Sequence, residues 1–204
     1  MFSDSHASEK AGIRAIKAAA TRAALLEAVV NLVALGGVSV VTHRAVAAQA
    51  QVSPALVAYH FATIEDLLLA TSTVLTEAAV ERLDQAIREV SSRASLLEVT
   101  SRYLADQFGV HRKSFVARLE LDLAKARGGS IAPDVLAANE MFVDLIRPFV
   151  ADDRAARTLL AAIIGFALQG VLGLEPCSEA DCRRFLADLY DRHGVGEPAG
   201  APTF

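Results

Sequence analysis

Apolar residues recur at three- and four-residue steps along almost the whole chain, and alternating β-branched runs are short. This is the period of helices that bury one face. From about Ile13 to Leu35 the repeat is carried by Ile16, Ala20, Leu25, Val29, Leu32 and Val33, and Gly36-Gly37 supplies a stop. Thr42 is a good N-cap for a short helix over 43–50, and Ser53 for another with Pro54 in its first position. Thr63 with Asp66 forms a capping box that opens a long helix from Ile64 to about Val90. Ser95 with Glu98 repeats that signature ahead of a helix from Leu96 to Phe108. Further helices are expected at 111–127, 134–147, 153–173 and 179–192, broken at Gly128-Gly129, Pro148, Gly173 to Pro176, and Gly194. The fold class is therefore all-α, with about nine helices. A three-helix head spans 10–62, a larger helical body 63–194, and a frayed tail 195–204.

Composition narrows the function classes. The chain has 204 residues, 53% of them hydrophobic and 22% charged, which excludes a disordered tail protein. Six prolines and twelve glycines exclude collagen-like and low-complexity classes. Cys177 and Cys182 are too few and too close for a disulfide scaffold, and read as reduced thiols in a cytosolic protein. Ser3, Asp4, Ser5 and His6 are polar where the apolar core of a signal peptide would sit. The uncharged run Thr158–Leu174 is seventeen residues long and carries Gln169 with three glycines, so it reads as a helix buried in protein or at a subunit interface, not a membrane span. A soluble, cytoplasmic protein without a membrane partner is expected. Formal net charge is −4, distributed as −2 over residues 1–9, +4 over 10–61 and −6 over 62–204. A mildly basic front on an acidic body suits a nucleic-acid-binding module joined to a domain with another job.

Residues 42–61 carry the most information. Two short helices separated by Gln51-Val52-Ser53 have the dimensions of a helix-turn-helix, or of any tight helical hairpin. Val46, Ala47 and Ala50 can pack on Val52, Leu56 and Val57. The Arg44 guanidinium can pair with guanine O6 and N7 in a major groove, or lie on a phosphate or in solvent. Thr42 can cap its helix and touch a phosphate; Ser53 reads chiefly as a cap. Pro54, Ala55, Val57 and Ala58 are small and apolar, so those facing a groove can meet thymine methyls but cannot hydrogen-bond a base. Phe61 reads as core. Lys10, Arg14, Lys17 and Arg22 can reach flanking phosphates, Lys10 and Arg14 as an N-terminal arm.

Residues 17–70 resemble the DNA-binding domain of the tetracycline-repressor (TetR) family. The matching residues are Thr42 and Arg44 at the second helix, Val52-Ser53 in the turn, Tyr59-His60-Phe61 ending the third helix, and Glu65-Asp66-Leu67-Leu68 starting the fourth. The resemblance implies a three-helix head, a helical body that dimerises, and repression relieved when a small molecule binds the body. It also implies that Tyr59 and His60 meet the DNA backbone. Gln51 and Ala55 stand where glycines are usual, Ala58 where an aromatic is usual, and Ile64 where a lysine is frequent. These departures bear on two phosphate contacts, for which the helix N-terminus around Thr63 to Glu65 is a substitute.

In the body, residues 153–173 are apolar almost all round, with Ala161, Ala162, Gly165 and Gly170 allowing close approach. Such a helix must be covered on every side. It can be a central core helix, or it can join 179–192, through Phe185, Leu186 and Leu189, in the four-helix homodimer interface that the resemblance implies. Phe115, Leu119 and Leu123 form a stripe flanked by Glu120 and Asp122, and Met141, Phe142 and Leu145 add to it. With Tyr103, Gln107, Phe166 and Gln169 they describe either packed core or a cavity for a hydrophobic or amphipathic effector. Glu120 is the candidate acid for orienting such a ligand. His6, His43, His60, His111 and His193 form no metal-spaced pair, and no nucleophile elbow, phosphate loop or dinucleotide fingerprint occurs. Asp152-Asp153 reads as a helix start. No cofactor, metal or catalytic residue is expected. The sequence reading is a ligand-responsive repressor that binds a palindromic operator in double-stranded DNA as a homodimer. The alternative is a helical dimeric scaffold or sequestering protein without specific DNA binding.

Overall fold

The computed structural model describes residues 3–127 and 133–196. Among them are nine α-helices, two short 3-10 turns and no strand. The helices are α1 (Ser3–Gly36), α2 (His43–Gln49), α3 (Pro54–His60), α4 (Ile64–Ile87), α5 (Arg93–Asp106), α6 (Arg112–Arg127), α7 (Pro133–Ile146), α8 (Asp153–Val171) and α9 (Glu179–His193). The 3-10 turns, Val38–Val40 and Arg147–Phe149, precede α2 and α8. The chain divides into two compact units, Met1–Ser72 and Thr73–Phe204, with the division inside α4. The Gly128-Gly129 break and residues 197–204 of the tail lie outside the described residues.

Local chemistry explains most boundaries. The Thr42 hydroxyl accepts from the Ala45 N–H at 3.1 Å, and the Ser53 hydroxyl from the Leu56 N–H at 3.2 Å. Thr63 and Asp66 form the reciprocal box at the start of α4. Three boundaries differ from the sequence expectation. First, α1 begins at Ser3, not near Ile13, and Ile13 and Ile16 of the expected stripe are exposed. Second, Ser92, not Ser95, caps α5, with Ser95 as its reciprocal partner, while Glu98 accepts from Arg102 one turn on. Both serines are competent caps, and local sequence does not choose between them. Third, the tail is anchored at its start: Val195 is buried, and the Gly196 N–H donates to the Phe149 carbonyl at 3.0 Å.

In the first unit α1 packs on α2 and α2 on α3. Leu25, Val29, Val33, Val46, Ala47, Val57 and Phe61 are buried there. In the second unit α5 packs on α9, α7 on α8, and α8 on α9. Leu96, Leu104, Phe115, Phe149, Leu159, Leu186 and Tyr190 form its main core, and Ala79, Phe142, Val143, Ala156 and Leu160 a second cluster. Gly170 fits a close approach, because a Cβ there would run into Cys177 Sγ and lie 2.5 Å from Phe108 Cε1. Gly165 is different: nothing lies within 4 Å of where its Cβ would be. By length and composition, two helical segments, Gly12–Gly36 and Asp153–Val171, are apolar enough to cross a bilayer; core helices of water-soluble proteins pass the same test.

Three helices end on the same backbone motif, in which a left-handed residue lets the following N–H reach back to a carbonyl five residues earlier. Leu174 reaches Gln169 past Gly173 (φ 74°), and Val195 reaches Tyr190 past Gly194 (φ 60°). Val52 reaches Ala47 at 2.9 Å past Gln51, whose φ is 57°. Gln51 is the one non-glycine residue with positive φ among the described residues. A side chain in that region costs on the order of 1 kcal/mol. Gln51→Gly is therefore expected to stabilise the α2–α3 turn by up to about 1 kcal/mol, less the extra unfolded-state freedom of glycine. Gln51→Val, β-branched, should destabilise it. Hydrogen exchange of the α2 and α3 amides in both variants measures the difference.

Candidate functional site

The outward side of α2, the turn and α3 is built from residues that the core does not use. Arg44 is exposed in the first turn of α2, beside the cap Thr42. Ser53, Pro54, Ala55 and Ala58 are exposed, and Tyr59 is 82% exposed with its ring edge-on to His60 at 5.3 Å. Val57 is 0% exposed and belongs to the core, so it leaves the set of surface contacts proposed from sequence. Lys17 and Arg14 are exposed on α1, and the side chain of Lys10 lies outside the described residues. Arg22 holds its guanidinium 4.4 Å above the Phe61 ring. His43 donates from Nε2 to the Phe61 carbonyl at 3.2 Å, tying the two ends of the motif together; sequence reasoning did not assign it this role. At the start of α4 the Thr63 N–H donates to Asp66 Oδ2, so that donor is not open to a phosphate as the sequence reading had it.

The second unit contains an apolar cavity of about 120 Å³. Tyr103, Gln107, Phe115, Phe142 and Leu145 line it, as proposed from sequence. Leu119, Glu120, Leu123, Phe166 and Gln169 do not. Leu123 is 53% exposed, and Leu119 packs against the edge of the core. The inward side of α6 instead runs through Phe115, Arg118 and Leu121, which leaves Glu120 off the wall. Phe166 stacks on Phe185 at 4.1 Å and meets Phe108 edge-on. Gln169 lines a separate, more open recess with Gly165, Phe166 and Phe185 on the α8–α9 surface. Polar groups at the cavity are few. Tyr190 donates to Thr100 Oγ1 at 2.9 Å, Thr100 donates to the Leu96 carbonyl, and Tyr103 donates to the Ala79 carbonyl at 3.1 Å. Gln107 is buried and donates to the Tyr103 carbonyl at 3.0 Å. Arg118, which sequence reasoning missed, faces the rings of Phe115 and Phe142 at 5.5 and 5.2 Å. Burial holds the Tyr103 phenol above its usual range.

On α8 the covering is one-sided, unlike the expectation of burial on every side. Ala156, Leu159, Leu160 and Ala167 are buried, whereas Ala161, Ile164, Leu168 and Leu172 form an exposed apolar stripe. On α9, Leu186 and Leu189 are buried in their own core and unavailable to a partner; Phe185 stays half-buried at the edge of the exposed α8 surface. Among the described residues no group of three His, Cys, Asp or Glu side chains is placed to hold a metal.

A helix-turn-helix with a solvent-facing outer side, joined to a helical unit with an apolar cavity, is the plan of a transcriptional regulator. The sequence model of bacterial regulatory proteins of the TetR family matches residues 25–71. A member of the TetR family from Streptomyces coelicolor A3 is 29% identical, with a TM-score of 0.70, over 83% of this chain and 97% of its own. The multidrug binding protein EbrR, solved with ethidium, is 30% identical, with a TM-score of 0.66, over 83% of this chain and 97% of its own. A protein from Saccharomonospora viridis solved in complex with choline shares the fold at 21% identity and a TM-score of 0.70, over 88% of this chain and 99% of its own. Among curated proteins no sequence matches. The chain belongs to the TetR family of bacterial regulators, whose members are transcriptional regulators and not enzymes.

The two thiols are not paired with each other. Burial, joined by the neighbouring Cys177 and Asp181, pushes the Cys182 thiol up to about 12. A thiol with that value is protonated at pH 8 and is a poor nucleophile. Iodoacetamide at pH 8 should therefore label Cys177 first and Cys182 only after unfolding, as peptide mass spectrometry will read. Rapid labelling of Cys182 in the native protein would contradict this environment.

Proposed function

We propose that the protein is a homodimeric transcriptional repressor that binds a palindromic operator through α2 and α3 and is released when a small hydrophobic or amphipathic effector enters the second unit. Its working location is then the cytoplasm. The observation that carries the reading is the division of labour in the helix-turn-helix: Val46, Ala47 and Val57 fill the core, while Arg44, Pro54, Ala55, Ala58 and Tyr59 are left outward. The exposed Arg44 guanidinium has the reach and fork to read guanine O6 and N7. Thr42, Ser53, Tyr59, His60 and Lys17 would hold the sugar–phosphate backbone and set the register. The apolar cavity supports effector binding, and similar proteins solved with ethidium and choline support it further. The exposed α8 stripe, centred on Ile164 and Leu168, supports a subunit interface, because an apolar strip of that kind is seldom left to water.

Two variants with the same charge change separate reading from holding. Arg44→Ala should cost roughly 1–3 kcal/mol per half-site and relax preference at one base position. Lys17→Ala should weaken all duplexes about equally and lower the salt slope by about one unit. Affinities for an operator selected from a random pool, a single-base variant and random DNA, across a salt series, give both quantities. An unchanged operator-to-random ratio in Arg44→Ala would make Arg44 a phosphate contact. A wild-type protein with no salt-dependent DNA binding at all would leave the scaffold reading.

Assembly is tested at Gly165, where the protomer has open space for a side chain. Gly165→Glu should keep native helicity and thermal stability as a protomer, yet shift light scattering from a dimer toward 21.6 kDa. An uncompensated charge buried in an interface costs several kcal/mol. A variant that stays dimeric would move the interface off this face of α8.

A further inference from the structure

Among the described residues that line the cavity, Arg118 is the only one with a charged side chain. The other polar side chains there each spend a hydrogen on the protein: Tyr190 on Thr100, Thr100 on the Leu96 carbonyl, Tyr103 on the Ala79 carbonyl, and Gln107 Nε2 on the Tyr103 carbonyl. A guanidinium carries five N–H donors and no acceptor, and rings such as Phe115 and Phe142 offer it only their π faces. Arg82, on α4, adds to the positive potential: its charge acts on both Tyr103 and Arg118, and its Nε is a buried donor with no hydrogen-bond partner. Asp122, one turn along α6, offsets part of this through space but does not line the cavity, and neither does Glu120. Burial is the main influence holding the Arg118 guanidinium below its usual range, which is the mark of a cation short of solvation. Arginine nevertheless keeps its proton at neutral pH.

We infer that the effector is an amphipathic carboxylic acid, whose carboxylate pairs with the Arg118 guanidinium while its apolar body lies against Phe115, Phe142 and the aliphatic wall. The inference rests on the effector reading above and adds the sign of the ligand's charge. A carboxylate matches the guanidinium fork in a charge-assisted, two-bond pair, which an alcohol cannot reproduce. An ammonium ligand would meet a like charge at the one charged point of the wall. A cavity of about 120 Å³ suits a body near the size of one phenyl ring or a medium-length alkyl chain.

The test uses the full-length protein without DNA and two series that differ only in the head group. One is 3-phenylpropanoate, 3-phenylpropan-1-ol and 3-phenylpropylammonium; the other is octanoate, octanol and octylammonium. Isothermal titration should rank the acid tightest in at least one series, on the order of 10- to 100-fold over the alcohol, with the ammonium weakest. In Arg118→Met, checked for native circular dichroism, the acid and alcohol should bind equally, with alcohol affinity kept. Arg118→Lys should keep the order with a smaller gap. The wild-type ranking decides the matter even if a variant fails to fold. Equal or tighter binding of the alcohol or ammonium in both series, or an acid preference that survives Arg118→Met, overturns the charge assignment and leaves the effector reading standing. Silence from all six ligands overturns the effector reading and this inference together. An acid that binds but does not release operator upholds the inference and overturns release by effector.

Discussion

The packing of α5 against α9 is the contact on which the second unit depends. Leu96 and Leu104 on one helix meet a core shared with Leu186, Leu189 and Tyr190 on the other. Tyr190 would be costly to bury without a partner for its hydroxyl, and Thr100 supplies one at 2.9 Å. Thr100 passes its own hydrogen to the Leu96 carbonyl, so the pair leaves no donor unspent. Left-handed Gly194 then turns the chain and returns Val195 to the same core. Thr100, Leu104, Leu186, Tyr190 and Val195 all line the cavity, so one helix contact both closes the core and makes its hollow wall.

The first unit solves a harder problem with less material. Two helices of seven residues each bury few side chains, and short helices are marginal alone. Packing of Val46, Ala47, Val57 and Phe61 is supplemented by side-chain caps from Thr42 and Ser53, the backbone reach from Val52 to Ala47, and the His43–Phe61 bond. Because the packing and these bonds use the inward side and the helix ends, the outward side of α3 need not carry stabilising residues. It can be small and smooth, as Pro54, Ala55 and Ala58 are, which lets a helix lie close to a surface as broad as a DNA groove.

On α7 and α8 the surface is organised by charge. Arg157 forms a two-bond pair with Glu140 and also bonds Asp153, while Arg147 bonds Asp153 and Asp144. All are solvated, and such pairs contribute little to stability singly. Their effect is geometric: the Arg157–Glu140 bridge ties α7 to the start of α8, and Asp152 caps that first turn. The apolar stripe through Ile164, Leu168 and Leu172 begins where this charged cluster ends, so α8 has one side in its own core and one facing solvent.

The helical class, nearly every helix and the turn chemistry around α2 and α3 are legible in the sequence, because caps, glycine stops and apolar periods act over four or five residues. Thr42, Ser53, Asp66 and Asp152 cap where their types and spacing say they should. The inward side of α6 is not legible. Leu119, Leu121 and Leu123 spread around that helix, so no period singles out a face, and tertiary packing chose Phe115, Arg118 and Leu121 over Leu123 and Glu120. The same limit left Val57 in two roles, core and groove contact, since a seven-residue helix has too few apolar positions to fix its rotation; packing put it in the core. That limit also hid Val195, which looks like tail until the turn at Gly194 carries it into the core. Sequence alone determined which segments are helical and where they stop, since those are local free energies. Which side of each helix meets the cavity, and with it the cation on the cavity wall, was decided only by packing between residues far apart in the chain.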